Sequence, residues 1–231
     1  MINLIQGDCL EKMKEIPSGS VDMILTDPPY GTTACKWDSI IPLEPMWEQL
    51  KRVIKPNGAI VMTASQPFTT TLISSNIKMF KYEVIWEKTS ASNPQHSNYQ
   101  PLKVHESILI FTSGGTAAGS KNPCVFNKQM KDGAPYSRGL CASGGGVTSK
   151  GFKGAFVESK DGKRNPRSVI KISNPKSKKN LHPTQKPVEL MEYLIKTYTN
   201  ENETVLDFTM GSGSTGVAAK NLNRNFIGIE L

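Results

Sequence analysis

The sequence predicts an α/β fold with a mostly parallel sheet flanked by helices. Three observations support this prediction. Strand and helix patterns alternate along the chain, two distinctive motifs each follow directly on a strand pattern, and a glycine-rich basic stretch interrupts the alternation. With 231 residues, 37% of them hydrophobic, the chain is long enough to bury one sizeable core.

The first half of the chain contains five predicted strands and three predicted helices. The strands cover 2–6, 21–26, 59–63, 82–86 and 106–111. Asp8 is expected to cap the first helix, with Glu11 completing a capping box. The clearest helix covers 43–54, where apolar residues recur at helical spacing, and the Lys-Pro-Asn-Gly sequence at 55–58 is expected to end it. A weaker helix pattern covers 67–76.

The last part of the chain returns to the same alternation. A helix is expected from Val188, directly after Pro187, because proline is favoured at the first helical position. A strand (204–207), a loop (208–211), a helix (212–221) and a final strand (225–230) follow.

A glycine motif lies in this final unit. Residues 211–216 read Gly-Ser-Gly-Ser-Thr-Gly, a literal G-x-G-x-x-G between a strand and a helix, and Glu230 stands where a ribose-binding acid is expected. Small residues let a ligand approach the backbone closely, and a helix N-terminus offers unpaired N–H groups. The motif predicts a nucleotide or nucleoside cofactor; a tight turn without a ligand is the alternative.

The second distinctive motif is Asp27-Pro28-Pro29-Tyr30, directly at the C-terminal end of the predicted strand 21–26. Open α/β sheets bind ligands outside the carboxyl ends of their strands. In another context this tetrapeptide would usually be a plain turn. Its position therefore makes it a candidate site.

The positive charge is concentrated in one stretch. Residues 112–187 carry fifteen Lys or Arg against three acidic residues, a net charge of +12. The rest of the chain has a net charge of −4, which gives the overall +8. The same stretch holds eleven of the nineteen glycines. This composition favours a loop-rich insertion facing a polyanion, with a solvated flexible segment as the alternative. The predicted organisation is a first half (1–111), an insertion (112–180) and a second half (181–231).

The order of the motifs also predicts the topology. Only Leu231 follows Glu230, so the strands that complete a nucleotide-binding sheet must come from the N-terminal half. A circularly permuted sheet is therefore expected, with the strand 2–6 beside the strand that ends at Glu230.

This arrangement resembles the β class of amino methyltransferases, which modify DNA using S-adenosylmethionine. In that family a D-P-P-Y motif precedes a target-recognition region and then an F-x-G-x-G cofactor motif. The counterparts here are Asp27 to Tyr30, the basic insertion, and Phe208 to Gly213, where the phenylalanine lies one residue farther from the first glycine. The stretches 105–111 (HESILIF) and 182–187 (HPTQKP) also look like family segments. The family normally continues into another helix after the ribose-binding acid, whereas this sequence ends at Leu231.

The resemblance implies a Rossmann-like methyltransferase fold with a seven-stranded sheet. It implies a catalytic role for Asp27, Pro28, Pro29 and Tyr30: Asp27 and a proline carbonyl would accept the hydrogens of an exocyclic amino group, and Tyr30 would stack on an extruded base. The implied cofactor-binding residues are Asp8, Thr184, Lys186, Asp207, Phe208, Gly211, Gly213, Ser214, Thr215 and Glu230.

Within that set the implied roles differ. Asp8 would contact the adenine and Glu230 the ribose, Asp207 and the following loop would hold the methionine part, and Thr184 and Lys186 would reach its carboxylate. A plain helix cap for Asp8 and a solvated surface charge for Lys186 are the alternatives. Trp37 is a candidate for closing the site.

The expected function is methylation of adenine N6 in DNA, with S-adenosylhomocysteine as product. Adenine is favoured because cytosine-N4 members more often carry Ser where this chain has Asp27. The alternatives are a cytosine-N4 enzyme, an amino methyltransferase acting on RNA or a protein glutamine, an NAD-dependent oxidoreductase suggested by the glycine motif, and a catalytically silent DNA-binding module. The basic insertion argues against a protein substrate.

The expected partner is double-stranded DNA, bound through 112–187, with the protein a monomer or homodimer. The four cysteines are scattered and the three histidines lie far from them, so neither a metal site nor a disulfide framework is expected. No stretch reaches membrane-spanning length, and a reducing, cytoplasmic setting is expected.

Overall fold

The structure is a computed structural model that describes residues 1–33, 35, 38–138, 157–174 and 185–231. The described chain divides into two compact units. The larger comprises Met1–Asn127 and Ser168–Leu231, and the smaller comprises Lys128–Arg167. The predicted three-part division at 111 and 180 remains a prediction.

An eight-stranded sheet forms the centre of the larger unit. Its strands in chain order are β1 (Ile2–Gln6), β2 (Val21–Thr26), β3 (Ile54–Ala64), β4 (Phe80–Glu87), β5 (His105–Phe111), β8 (Val169–Lys171), β9 (Thr204–Asp207) and β10 (Asn225–Glu230). In space the order is β1-β10-β9-β2-β3-β5-β4-β8. The seven predicted strands are all present, and the short β8 extends the sheet beyond β4 by parallel pairing.

The pairing at one edge confirms the predicted permutation. β1 runs parallel to β10, with Ile2 opposite Phe226 and Gln6 opposite Glu230, so the first and last strands are neighbours. β10 pairs with β9, and β9 pairs in parallel with β2. Because parallel strands end at the same edge of a sheet, the residues that follow β1, β10, β9 and β2 are brought together there.

Five α-helices in the described part of the larger unit cover the sheet: α1 (Cys9–Met13), α2 (Leu43–Val53), α3 (Phe68–Ser75), α4 (Val188–Tyr198) and α5 (Ser214–Asn221). A short 3-10 helix, Pro94–His96, lies between β4 and β5. The first three α-helices pack in one hydrophobic cluster with Ile24, and the last two pack in a second cluster with Met23 and Leu25. Side chains alternate between the faces of a strand, so β2 contributes to both layers. The sheet is therefore buried on both sides.

One element differs from its prediction. The stop expected at 55–58 lies inside β3, which begins at Ile54 directly after α2. Val21 pairs with Ile54 but Met23 pairs with Ala59, so the register shifts across the Lys-Pro-Asn-Gly sequence. Pro56 and Gly58 are accommodated in this irregular segment, where a missing ladder hydrogen bond is tolerated. The residues that predicted a loop thus form a bulged strand.

Among its described residues, the smaller unit contains an antiparallel strand pair, β6 (Tyr136–Arg138) with β7 (Val157–Ser159). The Arg164 guanidinium lies 4.2 Å from the centre of the Tyr136 ring, a cation–π distance. Predictions that concern 139–156 and 175–184, including Thr184 and much of the basic stretch, lie outside the described residues, as does Trp37.

Candidate active site

The ends of β2 and β9 are joined by a buried hydrogen bond. Thr26 Oγ1 donates to Asp207 Oδ1 over 2.8 Å, and the Thr26 and Thr209 hydroxyl oxygens are 2.6 Å apart. Thr209 Oγ1 also lies 3.3 Å from the backbone carbonyl oxygen of Asp27, to which it donates. The tetrapeptide therefore meets the loop 208–213 before α5, here called the glycine loop, through direct contacts, although the two are about 180 residues apart in sequence.

The two oxygens of the Asp27 carboxylate have different hydrogen-bond partners. Oδ1 accepts hydrogen bonds from the Tyr30 hydroxyl, at 2.7 Å, and from the Thr63 hydroxyl. Oδ2 accepts from Lys186 Nζ at 2.5 Å. Thr63 lies in β3, the neighbour of β2, and Lys186 lies just before α4. Three separate parts of the chain therefore fix the orientation of this carboxylate.

Tyr30 is held on both its hydroxyl and its ring. The ring stacks on Phe68 of α3 with centroids 5.5 Å apart and an angle of 22° between the planes. Burial raises the pKa of Tyr30 well above its ordinary value, and the nearby Asp27 carboxylate adds to that effect. Tyr30 therefore stays a neutral hydrogen-bond donor.

A row of alternating charges leads away from Asp27. Lys186 Nζ lies 3.4 Å from Oε2 of Glu106 in β5, and the other Glu106 oxygen is paired with Lys88. Burial alone would lower the pKa of Lys186, but the carboxylates of Asp27 and Glu106 outweigh it, so the pKa is raised. The side chain of Lys186 is only 10% exposed. The alternative of a solvated surface charge at Lys186 is therefore wrong.

Asp207 is almost completely buried at the end of β9. Burial raises its pKa to about 6, and hydrogen bonds from Thr215, Thr26 and the Thr209 N–H oppose the shift without cancelling it. A carboxylate with a raised pKa beside a ligand-facing loop is typical of functional sites.

The loop after the tetrapeptide is organised by Asp38. Its Oδ1 accepts from the backbone N–H groups of Tyr30 and Gly31, and its Oδ2 accepts from those of Thr32 and Thr33, all at 2.7 to 2.9 Å. Burial would raise the pKa of Asp38, but hydrogen bonds from the Thr33 side chain and from the backbone N–H groups of Gly31, Thr33 and Thr32 outweigh it and lower the pKa. The carboxylate stays ionised and ties the loop to Tyr30.

The glycine loop has open space in front of it. Gly211 and Gly213 have φ values of 51° and 77°, and a Cβ on either would meet no atom within 4 Å. The Gly211 N–H donates to Glu230 Oε2 over 2.7 Å, so the loop and the end of β10 are directly linked. A cavity of about 290 Å³ lies beside Glu230 and is lined by Met210 and residues of β1. These features fit a nucleoside ligand at this edge of the sheet.

The other residues of the predicted cofactor set have different environments. Asp8 caps α1, its Oδ1 accepting from the Leu10 and Glu11 N–H groups. Phe208 is 1% exposed and packs in the core, so its side chain is not accessible to a ligand. Ser214 and Thr215 begin α5 and are buried, and the Thr215 hydroxyl contacts Met191 Sδ at 3.7 Å.

Sequence reasoning did not single out four residues of the site: Asp38, Thr63, Lys88 and Glu106. Thr209 lies within the predicted cofactor loop, 208–213. Glu106 lies within the 105–111 stretch that resembles the family, which was its one available signal. The others are single polar residues without periodic or motif context, and only the folded chain brings them to Asp27 and its loop.

In the ranges that the structure describes, neither a metal-binding cluster nor a membrane-spanning helix is present. No group of His, Cys, Asp and Glu side chains in those ranges could hold a metal ion. None of the helices found there is both long and apolar enough to cross a membrane.

Comparison with known proteins identifies a family over most of the chain. The N6/N4 methyltransferase family model, described as DNA methylase, matches residues 21–231. The chain is 28% identical over 250 residues to the type II methyltransferase M.BglII of Bacillus subtilis, covering 99% of this chain and 65% of the relative. It is 28% identical over 261 residues to M.HinfI of Haemophilus influenzae, covering 98% and 64%. The chain thus spans just under two thirds of the length of these two relatives.

Solved structures show the same likeness. A crystal structure of an M1.HpyAVI-SAM complex is 28% identical, with a TM-score of 0.64 over 100% of this chain and 94% of that one. The cytosine-N4-specific PvuII DNA methyltransferase is 15% identical, with a TM-score of 0.67 over 100% and 82%. The second match shows similarity of fold alone.

Proposed function

This chain belongs to the N6/N4 DNA methylase family, and we propose that it transfers a methyl group from S-adenosylmethionine to adenine N6 in DNA. The observation that carries the proposal is the position of Asp27. This hydrogen-bond acceptor stands at the end of β2 beside the glycine loop, with Thr26 and Asp207 in direct contact across the two strands.

The chemistry of an amino group explains the need for Asp27. The lone pair of an exocyclic amino nitrogen is delocalised into the ring, so the nitrogen is a weak nucleophile while it stays planar. Acceptors that hold its two hydrogens favour tetrahedral geometry and free the lone pair. Asp27 supplies one acceptor and the Pro28 carbonyl the other, because two successive prolines keep the backbone extended and remove N–H donors. Catalysis then rests on positioning and hydrogen bonding.

The glycine loop and its neighbours are proposed to hold the cofactor. When bound, S-adenosylmethionine supplies an activated methyl group on its sulfonium. Glu230 would accept hydrogen bonds from the ribose hydroxyls, and Asp8 would face the adenine. Asp207 and the backbone from Phe208 to Gly213 would hold the methionine part. The open space before Gly211 and Gly213 supports this assignment.

The substrate base must leave the duplex to reach Asp27. Extrusion costs a few kcal/mol, and stacking on an aromatic ring returns about 1–3 kcal/mol per base. Tyr30 is proposed to provide that ring, on the side away from Phe68. The basic residues between 112 and 187 are proposed to bind the DNA backbone.

Adenine is proposed as the base because the motif begins with Asp27, whereas cytosine-N4 members of the family more often carry Ser at that position. The test is to incubate plasmid DNA of diverse sequence with the protein and S-adenosylmethionine, digest it to nucleosides and identify the methylated one by mass spectrometry. N6-methyladenine is expected. Finding N4-methylcytosine alone would assign the other base of the family, and finding no methylated base would contradict the proposal.

A further inference from the structure

Beside Asp27, one hydrogen-bond acceptor and one donor lie next to each other: Oδ2 of Asp27 and Nζ of Lys186. Oδ1 of Asp27 already accepts from Tyr30 and Thr63, whereas the one described group donating to Oδ2 is Lys186. A carboxylate oxygen has about two lone-pair positions. Oδ2 is therefore the atom with a position left for an amino hydrogen, and Lys186 is its immediate neighbour.

Lys186 is itself fixed as a cationic donor. An ammonium group has three N–H bonds. Asp27 and Glu106 lie on two sides of Nζ, at 2.5 and 3.4 Å, and the Tyr30 ring centre lies 5.8 Å away. Asp27 accepts one N–H bond and the Glu106 carboxylate attracts the ammonium group from a second side. Among the described residues, Nζ therefore keeps donor capacity beside the ring proposed to stack on the base.

Glu106 has a matching feature. Its Oε2 is buried and has no hydrogen bond of good geometry within the described chain, although it lies at ion-pair distance from Lys186. Its Oε1 is held by Lys88. At this distance the negative charge of Glu106 attracts the Lys186 ammonium group in a poorly solvated setting, so Glu106 helps to hold that group beside Asp27.

The adjacent acceptor and donor match one kind of base edge. In adenine and in cytosine, the amino group is a donor and the neighbouring ring nitrogen is an acceptor. Guanine and thymine have the reverse order at the corresponding positions, a carbonyl acceptor beside a ring N–H donor. An acceptor next to a donor therefore complements adenine N6 and N1, or cytosine N4 and N3, and opposes the other two bases.

We propose that Asp27 and Lys186 together read this edge, with Oδ2 accepting an amino hydrogen and Nζ donating to the adjacent ring nitrogen. Lys186 is then a specificity-determining residue at the base rather than a contact of the cofactor carboxylate. Its hydrogen bond also occupies the ring-nitrogen lone pair, which would otherwise compete for the methyl group. Glu106 is the positioning residue for Lys186. The proposal deepens the proposed function and rests on it.

The test pairs an enzyme variant with a base analogue. The full chain methylates duplexes that carry either adenine or 1-deazaadenine at the target position, where the analogue replaces N1 by a C–H group. For the wild type, kcat/KM is expected to fall about 10- to 100-fold with the analogue, since a hydrogen bond to a charged group is removed. For Lys186→Met the two substrates should differ by less than about threefold, because the interaction is already absent.

Lys186→Arg is the matched control, since it keeps a cationic donor and should keep part of the discrimination. If Lys186→Met is too slow to assay, the affinities of the two duplexes are compared in the presence of S-adenosylhomocysteine, where the wild type should prefer adenine and the variant should not. If the ratio of kcat/KM for the adenine duplex to that for the 1-deazaadenine duplex is the same in Lys186→Met as in the wild type, the inference is overturned. A change confined to the KM for S-adenosylmethionine would also overturn it, and would assign Lys186 to the cofactor.

Failure of the proposed function gives a different result. If the product is N4-methylcytosine, the same test with 3-deazacytosine applies and the inference stands or falls on that ratio. If wild-type protein methylates no base in unmodified DNA, both the function and the inference are overturned.

Discussion

At the scale of single residues, the role of Asp27 depends on its position in the fold. A carboxylate after a strand is ordinarily a turn residue. Here Tyr30 and Thr63 occupy one oxygen and Lys186 the other, so its direction is fixed before any substrate arrives. Such preorganisation is the main way in which hydrogen bonds contribute to catalysis.

Replacement of Asp27 by alanine is expected to lower methyl transfer about 100-fold or more, because an acceptor for the amino hydrogen is removed. Affinity for S-adenosylhomocysteine, measured by calorimetry, should stay close to wild type, since Asp27 is not assigned to the cofactor. The matched control is Asp22→Asn at the other end of β2, where the carboxylate pairs with Lys55 and accepts from the Thr204 N–H. That variant should keep its turnover. Full activity of Asp27→Ala would contradict the proposed mechanism.

Asp207 makes the stability of the unliganded protein depend on pH. Its pKa is about 6 in the folded chain and lies above the ordinary value of 3.8, so folding favours the protonated acid. The stabilisation is fully present below the ordinary pKa and disappears as the pH rises through about 6, a total of roughly 3 kcal/mol. Above that pH the buried carboxylate is a net cost.

Asp207→Asn removes this titration while keeping an oxygen that accepts from Thr26. The free energy of unfolding of the variant, relative to wild type, should therefore increase between about pH 4 and pH 7, as measured by urea denaturation of both proteins at each pH. Parallel pH profiles for the two proteins would show that Asp207 does not titrate in this range.

At the scale of elements, packing between α5 and β10 depends on a missing side chain. Gly216 lies inside α5, where glycine is unfavourable by about 1 kcal/mol relative to alanine. A Cβ at this position would lie 2.8 Å from Cε1 of the buried Phe226 in β10. The close packing of α5 on β10 therefore requires glycine at this position, although alanine would be the better helix former. At the start of the same helix, the glycine loop contacts Glu230.

Gly216→Ala is expected to lower the free energy of unfolding by about 1 kcal/mol, because overpacking costs about 1–3 kcal/mol and the gain in helix propensity offsets part of it. Val217→Ala, on the same helix at a side chain that is 49% exposed, is the control and should have a small effect. Thermal unfolding measures both. The destabilisation should shrink in a Gly216→Ala, Phe226→Leu double variant; an additive double variant would locate the cause elsewhere.

The loop from Gly31 to Asp38 is a second element that depends on one residue. Four backbone N–H groups point at the Asp38 carboxylate. No strand or helix pattern covers this segment, so periodicity carried no signal for it. Among its described residues, the Asp38 carboxylate accepts four backbone hydrogen bonds from Tyr30 to Thr33, a constraint that only the folded chain creates.

At the scale of the whole molecule, the basic stretch is predicted to control DNA binding. Lys128 and Arg167, at the two ends of the smaller unit, are exposed. Changing both to glutamine should reduce the slope of log K against log salt by about 0.9 for each DNA phosphate that the protein no longer neutralises. Fluorescence anisotropy with a duplex over a range of KCl concentrations measures this slope. The pair Lys51→Gln and Lys78→Gln, outside the basic stretch, is the control; equal slopes in the two double variants would contradict the assignment of the interface.

Much of the fold could be predicted because its signals are local. The seven strands were each marked by a short apolar run, and α2 and α4 by helical spacing with a defined start or stop. The bulged start of β3 could not be predicted, since Pro56 and Gly58 ordinarily end an element and only pairing with β2 keeps them in the sheet. β8 has three residues, too few for a periodic pattern.

The candidate site divides in the same way. The sequence by itself determined the two motifs, their placement at strand ends and the permuted order, because each follows from residue type and spacing along the chain. Only the tertiary structure decided that Lys186 faces Asp27, that Glu106 and Lys88 extend this pair, and that Asp38 holds the loop. These contacts join residues from different strands and loops, and a charge acquires its partner and its raised or lowered pKa only when folding removes water and brings that partner within a few ångströms.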